Sequence, residues 1–456
     1  MFSKILRGSA KLYAGYGVAL VAGLTQLKLL SVHLSQQHLG MYFALQGVVA
    51  MAAELLKLGF PLVFAHYIPK MQAHNQDPRP LAFWSMTIHA TAFVLFFLVS
   101  LLIAYLRPSG FTGYLPVATL FFFLMVHYAL GASFVLSSRR PGLYSLLNAL
   151  SSSGYALILL VLWNRLTLFN ALAGGAAVYG VFSLIMWLII RPVPGSKDFL
   201  KRIISYWRYA FATSALSPVF VYADRLIAAW ALSYNAAALF GVARKIESVG
   251  RNILGVPMDI LAPEASFSWF KQDRAGVLAS TMRFTRLYLA GALVGMVLIP
   301  LLGKPVISLI SSPAYAGAGL YLGLLWAGAC LSTLYYPYTT VARAVGNMRL
   351  FFVSDLIWTT TYLVFALITV RFWGLVGLAL APLAASAAAL VFTRTAVFGY
   401  LGEKRRVPWL EIISFSLVAG SGIVAGFNPW FVLVAAGGLV IYWVWATFLT
   451  KPMTGR

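Results

Sequence analysis

A single cysteine, Cys330, stands in 456 residues. That excludes an internal disulfide framework and any metal cage built from cysteines, and it reads as a packing residue. Acid is scarce too, with 11 Asp and Glu against 34 Lys and Arg. Charged residues of both signs make up only 10% of the chain, where a soluble globule carries about 25%. Catalytic signatures are missing as well: there is no HExxH, no Gly-rich phosphate loop ending in Lys-Ser/Thr and no Gly-x-Ser-x-Gly elbow. Nor is there an Asp-x-Asp of the kind that holds a metal-bound sugar nucleotide. The chain is therefore not expected to be an enzyme, nor to hold a metal or an organic cofactor.

What remains is apolar. With 61% hydrophobic residues and a mean hydropathy of +0.85, the chain reads as an all-α integral membrane protein. Stretches such as "FWSMTIHATAFVLFFLVSLLIAYL" supply the roughly 20 residues that a bilayer-spanning helix needs. About fourteen spans are expected, near 12–31, 41–68, 81–106, 114–136, 143–163, 169–190, 203–232, 236–263, 284–310, 315–342, 350–370, 373–393, 409–427 and 430–450. The first follows a basic start and runs on past any small-residue cleavage site, so it is expected to be an uncleaved span.

The net charge of +23 invites a nucleic-acid reading, but its distribution argues against one. With the N-terminus placed in the cytoplasm, the connections facing outward carry only Arg107, Arg165, Lys304 and Arg371. The other loop cations fall in inward-facing connections, for example Arg139, Arg140, Lys201, Arg202, Lys404, Arg405 and Arg406. This is the positive-inside pattern, and it puts both termini in the cytoplasm.

An internal repeat is visible when "LSQQHLGMYFALQGVVAM" (34–51) is laid over "LSYNAAALFGVARKIESV" (232–249). Each segment follows a span with an internal cation, Lys28 or Arg225, and opens a long returning span. The reading is two six-helix lobes, 1–195 and 196–400, related by a pseudo-twofold along the membrane normal, with an appended helix pair in 401–456. The linker "RPVPGSKDFLKR" (191–202) joins the lobes as a solvated hinge.

Ionisable residues inside spans cost about 2.5–3.5 kcal/mol each even on the mild insertion scale, so they face a bundle interior or water. Here they are Lys28, Glu54, Lys57, Asp224, Arg225, Arg244, Lys245, Glu247, Arg251, Asp259 and Asp355, with His66, His89 and His127. Arg244, Glu247, Arg251 and Asp259 recur at helical spacing and form one stripe, in which Glu247 precedes Arg251 by four residues, the favourable order for a pair. Either the stripe lines a wet cavity or it is a set of structural ion pairs. Asp224 and Arg225 are adjacent, point about 100° apart on a helix, and so require a partner across the bundle. Glu54 and Lys57 sit three apart, spaced either to pair or to line a lumen. Pro218 and Pro257 are expected to bend their spans beside a cavity. Tyr335, Tyr336 and Tyr338 read as interfacial anchors, with cavity lining the alternative, and His89 and His127 as bonded core residues.

The block "DRLIAAWALSYNAAALFGVARKI" (224–246) resembles the seventh-to-eighth-span signature of the polysaccharide transporters of the MOP (multidrug/oligosaccharidyl-lipid/polysaccharide) superfamily, which include the O-antigen flippases. Residues 342–391 resemble the family's C-terminal pattern, and "HLGMYFALQGVVAM" gives a weaker echo in the first lobe. Ala238 departs from the pattern, standing where the family usually has glycine. The resemblance covers roughly 1–400 and implies a two-lobed bundle around a cavity that opens alternately to either side. Its cargo would be a glycan on a polyprenyl pyrophosphate, moved to the outer leaflet of a bacterial inner membrane. Membrane lipids and other polysaccharide assembly proteins are the further partners implied, with no nucleic acid. In such a cavity Lys28, Arg225, Arg244 and Arg251 would bind the anionic head group. Glu54, Asp224, Glu247, Asp259 and Asp355 would either carry a coupling proton or sodium ion or hold the arginines. A lipid II flippase and a cation-coupled multidrug exporter are the nearest alternatives. A membrane glycan polymerase or ligase would need a large outer loop, which the spacing of spans leaves no room for.

Overall fold

The computed structural model describes residues 2–401 apart from 139, 196, 271–272 and 345–346. The expected spans at 409–427 and 430–450, and with them the appended pair, lie outside the described residues. No strand occurs among those described. The helices are α1 (Phe2–His33), α2 (Gln36–Leu45), α3 (Met51–Leu55), α4 (Phe60–Ala73), α5 (Arg79–Leu106), α6 (Gly110–Ser137) and α7 (Pro141–Val161). They continue as α8 (Leu168–Ile190), α9 (Lys197–Ala231), α10 (Tyr234–Phe270), α11 (Arg274–Ile310), α12 (Ala318–Ser332), α13 (Tyr336–Ala344) and α14 (Met348–Leu401). Two compact units emerge, Met1–Ala238 and Leu239–Arg456.

Short polar residues set the helix starts. Ser109 and Thr112 form a reciprocal capping box at α6, Thr167 accepts from Asn170 N at the start of α8, and Asp273 accepts from Gly276 N at 2.7 Å at the start of α11. Between such caps the apolar runs are long enough to cross a bilayer. By length and composition, Ala14–His33, Arg79–Leu106, Gly110–Ser137, Pro141–Val161, Leu168–Ile190 and Met348–Val397 qualify. Side chains such as Leu95, Leu98, Leu102 and Tyr105 on α5 are exposed, as a lipid-facing surface requires. α6 is the most buried of these helices and packs against α4, α5 and α8, while α1 packs on α7. In the second unit α12 lies against α11 and α14.

Three spans follow a less simple path than hydropathy implies. The expected single span 41–68 is broken: α2 passes through a π-helical turn, Gln46–Ala50, into α3, and the chain then turns at Leu58 and Gly59 before α4. Leu58 (φ 51) and Gly59 (φ 75) both adopt left-handed backbone, which ends any α-helix. The turn is held from α9, where Trp207 Nε1 donates to the Leu58 carbonyl at 2.7 Å. Second, the 315–342 span is a helix pair, Ala318–Ser332 and Tyr336–Ala342, bent by 43°. Third, Met348–Val397 spans 50 residues, about 75 Å of helix at 1.5 Å per residue and far more than a bilayer's thickness of about 30 Å. Gly374 (φ 55, ψ −133) divides it between the two spans expected there. α9 continues through Pro218 without such a division.

The segments paired as a repeat also meet in space within the first unit. Gly40 of α2 lies so close to Tyr234 that a β-carbon there would overlap the Tyr234 carbonyl, and Gln36 Nε2 donates to Asn235 O at 3.3 Å. Gly40→Ala is therefore expected to destabilise the protein by about 1–3 kcal/mol, the usual range for overpacking. Gly59→Ala should do the same, since it adds a positive-φ penalty to a contact 2.6 Å from the Ala210 backbone. Gly17, with nothing within 4 Å of an added β-carbon, is the control. Thermal unfolding in detergent should show both losses and no loss for Gly17→Ala.

Candidate functional site: two buried charge clusters

In the first unit the adjacent Asp224 and Arg225 are both buried, at 1% and 5% exposure. Such burial demands internal partners. Asp224 Oδ1 accepts from the Arg225 backbone N–H at 2.7 Å, a one-residue turn that keeps the carboxylate against its own helix. The Arg225 guanidinium reaches across the bundle and donates from Nη1 to Gln46 Oε1, in the π-helical turn. It also lies over the rings of Phe43 (5.4 Å) and Tyr222 (5.9 Å). The π turn is what carries Gln46 to this point, and such bulges recur at functional sites. Tyr222 feels the charges of Arg225 and Glu54, so the turn after α3 belongs to the same neighbourhood. There Glu54 binds Lys57 Nζ at 2.5 Å, with both side chains partly buried. Lys28 lies half-buried on α1, its carbonyl accepting from Ser31 Oγ at 3.1 Å.

The second cluster lies on α10. Glu247 is 1% exposed and accepts from Arg244 Nη1 at 3.0 Å through Oε2, while its Oε1 lies 3.4 Å from Arg251 Nε. The expected Glu247–Arg251 pair is present and a second arginine joins it, so one carboxylate serves two cations along one helix face. Arg244 is buried, at 3% exposure. Around the triad, Glu247 acts electrostatically on the buried thiol of Cys330, and Arg251 and Asp355 both act on Tyr335. The tyrosines expected as interfacial anchors are not that: Tyr335 and Tyr338 are buried, Tyr335 beside this cluster and Tyr338 under the Arg394 guanidinium at 5.6 Å. Tyr338 also belongs to an apolar cluster with Val277, Val341, Ala342 and Val397. Asp259 belongs to α10, but its side chain, like that of His66, lies outside the described residues.

Of the sequence-chosen residues, the structure gathers Asp224, Arg225, Glu54 and Lys57 in the first unit and Arg244, Glu247, Arg251 and Asp355 in the second. Gln46, Phe43 and Tyr222 are the participants that sequence reasoning missed, while Tyr335 was singled out but assigned to an interface. A glutamine inside the otherwise apolar run "FALQGVVAM" was the available signal. Among the described residues, no three of His, Cys, Asp and Glu gather as a metal ion would require. Each cluster holds its guanidinium groups in fixed positions, against Gln46 and two rings in the first unit and against Glu247 in the second.

No protein-family model matches the chain, and no curated protein does. Solved structures do match in fold. A lipid II flippase, MurJ, in an inward closed conformation, matches with a TM-score of 0.73 at 13% identity, over 98% of this chain and 100% of that one. An inward-facing multidrug resistance MATE family transporter of the MOP superfamily matches with a TM-score of 0.67 at 15% identity, over 86% and 96%. A MOP superfamily transporter from Pyrococcus furiosus, described as having a binding pocket of reverse polarity, gives 0.64 at 15% identity, over 88% and 96%. With its apolar helices, this chain is an integral, multi-pass membrane protein with the fold of MOP superfamily transporters.

Proposed function

We propose that the protein is a flippase that moves a polyprenyl-pyrophosphate-linked oligosaccharide, an O-antigen or exopolysaccharide repeat unit, from the inner to the outer leaflet of a bacterial inner membrane. The observation that carries this reading is Arg225: a buried guanidinium fixed by Gln46, Phe43 and Tyr222 in a membrane-spanning bundle. A group so costly to bury is retained where an anion must be met. The fuller coverage of the lipid II flippase than of the multidrug transporter, 98% against 86% of this chain, supports a lipid-linked cargo over an organic cation. Embedded cations also slightly outnumber embedded acids, which is the wrong polarity for exporting cations.

In this reading the lobes 1–195 and 196–400 alternate access to a cationic cavity, 401–456 is appended to them, and both termini are cytoplasmic. Arg225, Arg251, Arg244 and Lys28 receive the pyrophosphate or an acidic sugar. A coupling proton or sodium ion is carried by one of Glu54, Asp224, Glu247, Asp259 and Asp355. Glu54 does this only by releasing Lys57, and Glu247 only by releasing two arginines. Other glycan-assembly proteins would hand over and receive the cargo.

In a Cys330→Ser background, single cysteines at 225, 244 and 251 should label with an impermeant thiol reagent, with a sidedness that shifts when glycan-lipid is added. Arg225→Gln and Arg251→Gln should lower glycan-lipid flipping in proteoliposomes about tenfold or more, the worth of one charge-assisted phosphate bond. Insertion should be unchanged. Export of an organic cation with no flipping would move the protein to the multidrug class, and flipping of lipid II alone would narrow the cargo. Glu247→Gln, by contrast, strands two cations and should cost about 3 kcal/mol or more of stability in a denaturant titration. Glu54→Gln, at a more exposed pair, should cost about 1 kcal/mol.

A further inference from the structure

The break in the second span orphans a backbone carbonyl, and a histidine answers it. Leu56 N reaches back four residues to Ala52 O in helical fashion, but Lys57 N bonds to Glu54 O at 3.2 Å and so leaves Ala53 O without its helical donor. His89 Nε2, from α5, lies 3.1 Å from that oxygen. His89 Nδ1 lies 3.2 Å from His127 Nδ1 of α6, and His127 Nε2 lies 2.9 Å from Trp187 Nε1 of α8. Both imidazoles are buried.

The protons in this chain follow from its ends. An indole nitrogen only donates, so His127 Nε2 is bare and its Nδ1 carries hydrogen. That hydrogen goes to His89 Nδ1, which leaves the His89 proton on Nε2, where the Ala53 carbonyl accepts it. Every bond points from α8 toward the broken span, and both rings are neutral. An added proton finds no spare lone pair: on His127 Nε2 it expels Trp187, and on His89 Nδ1 it sets two N–H groups against each other. The charged group facing the pair is Lys57, from the turn itself, with Glu54 bound to it. The adjoining Phe123 and Trp187 carry no charge.

We propose that the His89–His127 pair is a proton-binding site that latches the break in the second span, closed when both rings are neutral and released when the pair takes up a proton. The released form binds more protons, so acidification favours it. The device stands apart from the identity of the cargo, because its readout is the conformation of α3 and α4.

The test uses the full chain in lipid nanodiscs, Cys330→Ser, with spin labels at Ala65→Cys on α4 and Leu95→Cys on α5, both exposed. Nitrogen NMR of labelled histidine should show, near pH 8, one ring protonated at Nδ1 and one at Nε2. Lowering the pH from about 8 to about 3 should titrate this pair, and a pair still neutral at the acid end would overturn the proposal. With the same midpoint, the label-to-label distance should shift by about 2 Å or more, the scale of a helix displacement. His127→Gln keeps an acceptor for Trp187 and a donor for His89 but does not titrate, and should abolish the shift. Histidines already charged near pH 8, a distance that ignores their titration, or a shift that persists in His127→Gln would each overturn the proposal. Should that variant fail to fold, coincidence of the two midpoints in the parent protein decides alone.

Discussion

In a hydrocarbon layer no water stands ready to satisfy a charge or a freed backbone group, so every one of them must be answered from within the protein. This constraint orders the rest of the structure. Arg225 is answered by Gln46 and two aromatic rings, Lys57 by Glu54, and Arg244 and Arg251 by a shared Glu247. The same rule governs backbone. Where the second span breaks, Trp207 donates to the Leu58 carbonyl and His89 to that of Ala53, so the irregular turn is built from α5 and α9 as much as from its own residues.

A π-helical turn, a helix break and a buried arginine therefore form one assembly in the first unit. The π turn presents Gln46, Gln46 holds Arg225 of α9, and α9 in turn holds the break through Trp207. Local departures from regular helix are here the means by which distant spans are tied, which is why they survive their cost. The neighbours of known structure share the overall fold at 13–16% identity.

Much of the helical framework was legible in the sequence. Continuous apolar runs locate α5 to α8 to within a few residues, because a bilayer demands length and apolarity, and both are written locally. The path within a span is not. Across 41–68 the hydropathy stays high while Leu58 enters left-handed backbone, and Gly59 and Pro61 were the hints of a turn. The charges were legible as charges, and the adjacency of Asp224 and Arg225 required a cross-bundle partner, but a polar residue in an apolar run was all that marked Gln46, 179 residues away. His89 and His127 stand on separate helices 38 residues apart, so their pairing is a product of packing alone. The tyrosines misled for a physical reason: a ring with a polar tip suits a membrane interface and a buried charge cluster equally well.

The triad on α10 has a consequence for biogenesis. Arg244, Glu247 and Arg251 lie within two turns of one helix, so their neutralisation needs no tertiary contact at all. As soon as this segment coils during synthesis, these three charges become a unit with one net positive charge, beside which Lys245 adds a second. The translocon then meets a partly compensated helix, where three unrelated charges would each cost about 2.5–3.5 kcal/mol. A segment carrying more charge than its neighbours thereby compensates part of that charge within its own length.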